Sequence, residues 1–292
     1  MPTSDSQTAG LSGDSSAQAG AGDSRSDPYG NRPVQAGWVS PLVWLVWVVY
    51  IGYVLLSDVP PGPSLLHTSP ATLQEAIALS LNFGLVMPAL FPAAAPVLHP
   101  MLEALFNLTV GWGLLLWGFA LDGRGQRLPI FPFLLGIAFL TNVFYLPWLA
   151  MRQPNPKPPT LPLSRLEQMT ESRWWPLMLG AIALVSIIWA IAGRPDFGDL
   201  PTRWASLVEI LQGDRLAYSF LIDLLIFWLF QGWLVPDDMA RRQWVNPAIS
   251  WFARLMPFMG LVVYMVCRPS LKQAAEPDTV FKSSADKSGK QA

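Results

Sequence analysis

Asp223 is the residue in this chain whose type and place most plainly could do chemistry. It lies in "LIDLLIFWLFQGWLVPDD", residues 221–238, among Leu, Ile, Phe and Trp. A charge at the centre of a bilayer costs about 2.5–3.5 kcal/mol on insertion scales, so an acid there must be neutral, paired or turned to a polar cavity. Kept neutral by burial, such an acid could protonate an alkene or epoxide of an apolar substrate. It could equally carry a proton in transport, or hold a partner's polar backbone. Gln231 follows eight residues later, on nearly the same helical face. Glu103 and Asn107 form a second pair, spaced i, i+4. Asp223 and Glu103 are therefore the candidate catalytic acids. Asn107, Asn142, Tyr145 and Gln231 are candidate substrate-binding residues, against the competing reading of interhelical hydrogen-bond glue.

These side chains need helices in an apolar medium to position them, and the composition describes that medium. Of 292 residues, 52% are hydrophobic and 13% charged, with 14 Trp; soluble proteins carry about 25% charged residues. The mean hydropathy is +0.34. The net charge of −1 offers no basic face for nucleic acid. One cysteine, Cys267, and two histidines, His67 and His99, leave no ligand set for a metal or haem. No phosphate loop or Ser-His-Asp motif appears, so no metal and no cofactor is expected.

Seven apolar stretches approach spanning length: 38–57, 73–90, 101–121, 129–151, 174–192, 216–235 and 250–267. The fold class expected is all-α, a polytopic membrane helix bundle with about seven transmembrane spans. The second stretch, interrupted by Gln74, Glu75, Asn82 and Pro88, has a re-entrant or tilted helix as its alternative. Residues 1–37 and 269–292 are polar and read as disordered tails. Acidic residues in 1–37 and the lack of a basic start argue against a targeting signal. A Pro-rich linker, 152–173, separates a four-span half (38–151) from a second half (174–268). In that second half, Trp204, Leu207, Val208 and Leu211 pattern as an interfacial amphipathic helix. There is no internal repeat to support an inverted-repeat carrier. With seven crossings, Lys and Arg divide almost evenly, so orientation is not readable. Arg254 is expected to reach towards Asp237 and Asp238 or to snorkel, not to meet Asp223, and the "DDMARR" run is expected to leave the membrane for water.

Three segments carry a resemblance. "EALFNLTVGWGLLLWGFALDGRG", "TNVFYLPWLAMR" and "PFMGLVVYMVCRP" resemble uncharacterised multi-span membrane proteins of cyanobacteria and chloroplasts. Residues 129–268 more faintly resemble the neoxanthin synthase-like family, through Ile222-Asp223-Leu224, the "DDMARR" exit and Pro257-Phe258-Met259-Gly260. The chain departs from that family by three extra spans and the Pro-rich linker. The resemblance implies a thylakoid or plasma membrane of a cyanobacterium and a carotenoid-like substrate rearranged without a metal. Two functions follow as expectations. One is an isoprenoid- or carotenoid-modifying enzyme using Asp223, with a membrane lipid or isoprenoid as its ligand. The other is a non-catalytic factor for assembly or stability of photosynthetic complexes, with other membrane proteins as partners. A proton-coupled carrier is the third.

Overall fold

The computed structural model describes residues 39–121, 129–152 and 162–271. The expected tails, apart from 269–271, and the Pro-rich run 153–161 lie outside the described residues. Every regular element among those described is helical. In chain order they are α1 (Val39–Val49), running on as the π-helical Tyr50–Leu56, α2 (Pro70–Leu81), α3 (Val86–Leu90), α4 (Pro100–Ala120), α5 (Ile130–Leu140) and α6 (Asn142–Met151). There follow α7 (Arg165–Glu171), α8 (Trp174–Ala192), α9 (Leu200–Gly213), α10 (Arg215–Arg241), α11 (Pro247–Leu255) and α12 (Met259–Cys267). Helix α7 lies in the C-terminal part of the expected 152–173 linker. Ser164 and Glu167 close a capping box there, so the second half of 152–173 is helical.

Four helices are long and apolar enough to cross a membrane: Val39–Leu56, α4, α8 and α10. Helices α4 and α10 run parallel, from an end marked by Arg215 to an end marked by Arg242, with Leu102 and Ala217 in one cluster near their starts. Helices α1 and α8 run the other way. Arg215 binds the last turn of the first span at Val54, and Arg203 binds the last turn of α8 at Ala190. One apolar core joins Val43, Trp112, Tyr145, Phe227, Leu234 and Met265. Outward-facing Leu45, Val48, Leu184, Ile188 and Leu229 stay exposed, as lipid-facing positions require.

The other three of the seven expected apolar stretches are not single straight helices; α2 with the segment Phe83–Leu90 would make a fifth span only as a pair bent by 44°. Each is broken, and each returns to the end it left. Between α5 and α6, Thr141 takes φ 43 and ψ −116, and the two helices fold back as a hairpin. A continuous helix would hold Phe133 and Phe144 about 16 Å apart, yet their ring centroids lie 6.4 Å apart. Gly136 lies so close to the Phe144 ring that a side chain there would collide with it. Helices α11 and α12 form a second hairpin, turning at Phe258 with φ 50. A Cβ on Gly260 would sit 2.8 Å from the Phe252 carbonyl oxygen, so only glycine permits the two arms to close. Both hairpins enter from the Arg242 end: Arg152, just past α6, pairs with Asp237, and Arg242 donates to the Pro269 carbonyl just past α12 at 2.6 Å. The third segment, 70–99, enters from the Arg215 end. It bends by 44° at Gly84 and Leu85, both left-handed. Asn82 then ties it to its own returning segment, donating to Pro96 O at 2.9 Å.

Helix α9 forms where the amphipathic pattern predicts. Trp204 and Val208 of the apolar stripe are exposed, while Arg203, off that stripe, is buried. Its guanidinium donates to the carbonyls of Gly198 (2.8 Å), Ala190 (3.1 Å) and Arg194 (2.8 Å), capping the end of α8. Arg215 does the same for the first span with five donations, to Val54, Ser57, Pro60, Pro61 and Gly62, all at 2.7–3.0 Å. A planar fork of five N–H groups suits such a cluster of carbonyls, and helix C-termini need donors of this kind.

Candidate functional site

Asp223 sits one third of the way along α10, 2% exposed, against the tip of the α5–α6 hairpin. Tyr50 Oη donates to its Oδ1 at 2.8 Å and Asn142 Nδ2 to the same oxygen at 2.7 Å. Thr141 Oγ1 donates to Oδ2 at 2.6 Å. Asn142 also reaches the Asp223 carbonyl at 3.3 Å. Three donors, from the π-helical end of the first span, the break and α6, converge on one carboxylate. The acid also lies at the N-terminus of α6, whose first residue is Asn142, where the unpaired N–H groups and the helix dipole favour negative charge.

Gln231 plays the complementary part at the second hairpin. Its Nε2 donates to Ala253 O at 2.5 Å and Met256 O at 3.1 Å, carbonyls at the C-terminal end of α11. The two polar residues of α10 thus meet opposite poles of two broken helices. Arg254 donates to Gly232 O at 2.9 Å and stacks over Trp251, so it meets neither Asp223 nor the Asp237/Asp238 pair.

Glu103 and Asn107 share one face of α4, as their spacing predicts, and both serve the third break. Glu103 is buried. Asn82 Nδ2 (2.6 Å) and Arg194 Nη2 (3.3 Å) donate to its Oε1, and Trp189 Nε1 donates to Oε2 at 2.7 Å. Asn107 Oδ1 accepts from the backbone N–H of Gly84 at 3.0 Å, at the left-handed turn itself. Of the candidate residues, Tyr145 alone joins none of these groups. Its ring stacks on Trp148 and packs edge-on against Phe227, and its hydroxyl is buried without a protein partner. The structure therefore gathers Asp223 with Asn142, and Glu103 with Asn107. It keeps these pairs apart from each other and from Gln231.

The "DDMARR" run does not leave for water. Asp237, Asp238, Arg241 and Arg242 are all buried. Asp238 Oδ2 accepts from Arg242 (2.8 Å), Tyr264 (2.8 Å) and Arg268 (3.2 Å). Arg242 forks onto Glu171 at 2.6 and 2.9 Å, and Arg268 reaches the same carboxylate at 3.0 Å. This network ties α7, α10 and α12 together, and Arg152 with Asp237 adds α6. The i, i+4 spacing of Asp238 and Arg242 was its visible signal; Glu171, Tyr264 and Arg268 were too far off in sequence to be read with it.

One grouping escaped the sequence reading altogether. Ser64 Oγ lies 3.1 Å from His67 Nδ1, and Asp58 Oδ1 lies 3.5 Å from that same nitrogen. A nucleophilic relay needs serine and aspartate on opposite nitrogens of the ring. Here both crowd one, and Ser64 is fully buried, so the group fixes the 57–69 loop. Apolar cavities of about 590 and 370 Å³ lie beside α4 and α8; neither is lined by Asp223 or Glu103. No family model, no curated protein and no solved structure matches this chain.

Proposed function

We propose that this chain is an integral membrane protein that acts as a non-catalytic factor, supporting the assembly or stability of other membrane complexes. The observation that carries this reading is the saturation of Asp223: both its oxygens accept from the chain's own Tyr50, Thr141 and Asn142. A general acid must present a proton to substrate, whereas this carboxylate is surrounded by donors that need it as an acceptor. Glu103 is filled in the same way. The photosynthetic setting rests on the sequence resemblance alone.

In this reading α1, α4, α8 and α10 cross the bilayer, and 70–99, 129–152 and 247–268 re-enter it. Four crossings also favour one orientation, because the near-balance of the seven-span count disappears. Among the described residues, Arg152, Arg165, Arg173, Arg241, Arg242 and Arg268 belong to the Arg242 end, against Arg194, Arg203 and Arg215 at the other. The positive-inside rule puts the Arg242 end on the side from which the chain is inserted.

The test has two parts. Asp223→Asn places a donor among donors, so its melting temperature in detergent falls by about 5–10 °C, the effect of roughly 2–3 kcal/mol in a chain of this size. Function per folded molecule stays unchanged; its loss at an unchanged melting temperature makes Asp223 a catalyst. In a deletion strain, intact pigments with a missing complex on native gels support the factor, and altered carotenoids with intact complexes overturn it.

A further inference from the structure

The two apolar cavities meet at Leu108 and Ile187, which line both. Together they make one furrow on the outer side of α4 and α8. It starts at the Arg215 end beside Met101, Leu200 and Trp204 and finishes on Trp112 and Phe258. From Met101 to Trp112 the furrow follows eleven residues of α4, about 16 Å at 1.5 Å per residue. Half of a ~30 Å hydrocarbon core is about 15 Å. The furrow is therefore as deep as one leaflet, closed at mid-membrane by the aromatic pair Trp112 and Phe258, whose rings lie 5.6 Å apart. Its upper rim is α9, with Trp204 exposed at the depth where indoles anchor to headgroups.

We propose that this furrow is the seat of a single acyl chain from a membrane lipid without net charge, taken from the leaflet at the Arg215 end. The inference rests on the bilayer placement above, which carbonate extraction of membranes tests separately. The absence of net headgroup charge follows from the rim. Arg194 is engaged with Glu103 at 3.3 Å, and Arg203 donates to the backbone carbonyls of Gly198, Ala190 and Arg194. Asp199 caps α9 by accepting from Thr202 N. The rim's cations are spent on the protein itself, and the exposed charges beside them, Asp196 and Glu209, are acidic, so no charge there selects an anionic headgroup. The trough supplies continuous van der Waals contact to a disordered chain, and Ala104 and Ala190 give it room.

Ile187 stands at the waist of the furrow and is 39% exposed, so a larger side chain fits there without disturbing the core. Purified wild-type protein in detergent is titrated with palmitoyl-oleoyl phosphatidylcholine, and bound lipid is counted by native mass spectrometry. The expected result is one saturable lipid per chain. Ile187→Trp weakens that binding by about tenfold or more, and Ile187→Ala retains it. Melting temperatures confirm that each variant is folded, and Ile191→Trp, on the same wall, replaces Ile187→Trp if that variant melts early. Equal retention in the blocked variant overturns the proposal. So does the lack of a saturable lipid in wild type, a tenfold preference for phosphatidylglycerol, or preferential capture of a linear twenty-carbon prenyl alcohol.

Discussion

Asp223 and Gln231 answer opposite demands from one helix. A helix that stops inside an apolar medium exposes N–H groups at its start and carbonyls at its finish, each costly to leave unpaired. An acid meets the first and an amide donor the second. Read as a lone polar residue, each resembles a site; read against the element facing it, each is a fastening. His99 does related work at a surface. Its Nδ1 accepts from Met101 N at 3.3 Å, capping α4, and burial, followed by the Arg203 charge, holds the imidazole below its ordinary value. Between the folded value and the unfolded one, near 6.5, the unfolded chain binds more protons than the folded chain. Stability is complete above that window and is lost as pH falls through it. Melting temperature is expected to fall on this account as pH drops from about 7.5 to about 5.5. His99→Asn, which keeps a capping acceptor, flattens that part of the profile; an unchanged profile removes His99 from it.

Among the elements, the contrast lies between unbroken and broken helices. Helices α4 and α10 carry the polar residues, and the segments they fasten contain the left-handed turns at Gly84, Leu85, Thr141 and Phe258. Such turns persist only where surrounding contacts hold them. Gln231→Leu therefore strands the Ala253 and Met256 carbonyls and loosens one hairpin, leaving the other in place. Hydrogen exchange across 250–260 is expected to quicken by about tenfold or more, with 141–150 unchanged. Uniform quickening of both hairpins would show that the fastenings are not separate.

For the molecule as a whole, the re-entrant arrangement makes a prediction that seven crossings do not share. His67 precedes segment 70–99, and the exposed Val97 lies near its end. Four crossings put them on one side of the membrane; seven put them on opposite sides. In a Cys267→Ser background, His67→Cys and Val97→Cys are expected to react together with an impermeant maleimide from outside, and Gln168→Cys only after permeabilisation. Labelling of His67→Cys and Val97→Cys from opposite faces would restore the second span. Labelling of Gln168→Cys alone from outside would reverse the orientation.

The apolar runs, their lengths and the buried position of Asp223 were legible in the amino-acid order, because hydrophobicity and spacing are local properties. So was the shared face of Glu103 and Asn107, which follows from helical period alone. Whether an apolar run of 18–23 residues crosses or turns back was not legible: Thr141 and Phe258 are not residues that announce a left-handed turn, and their conformations are held by contacts from α10 and α4. The same is true of "DDMARR", which reads as an exit to water until Glu171, Tyr264 and Arg268 arrive from elsewhere in the chain. Sequence alone determined the medium these helices occupy. Only the tertiary structure decided what Asp223, Glu103, Asn107 and Gln231 face, because their partners lie 21 to 173 residues away along the chain.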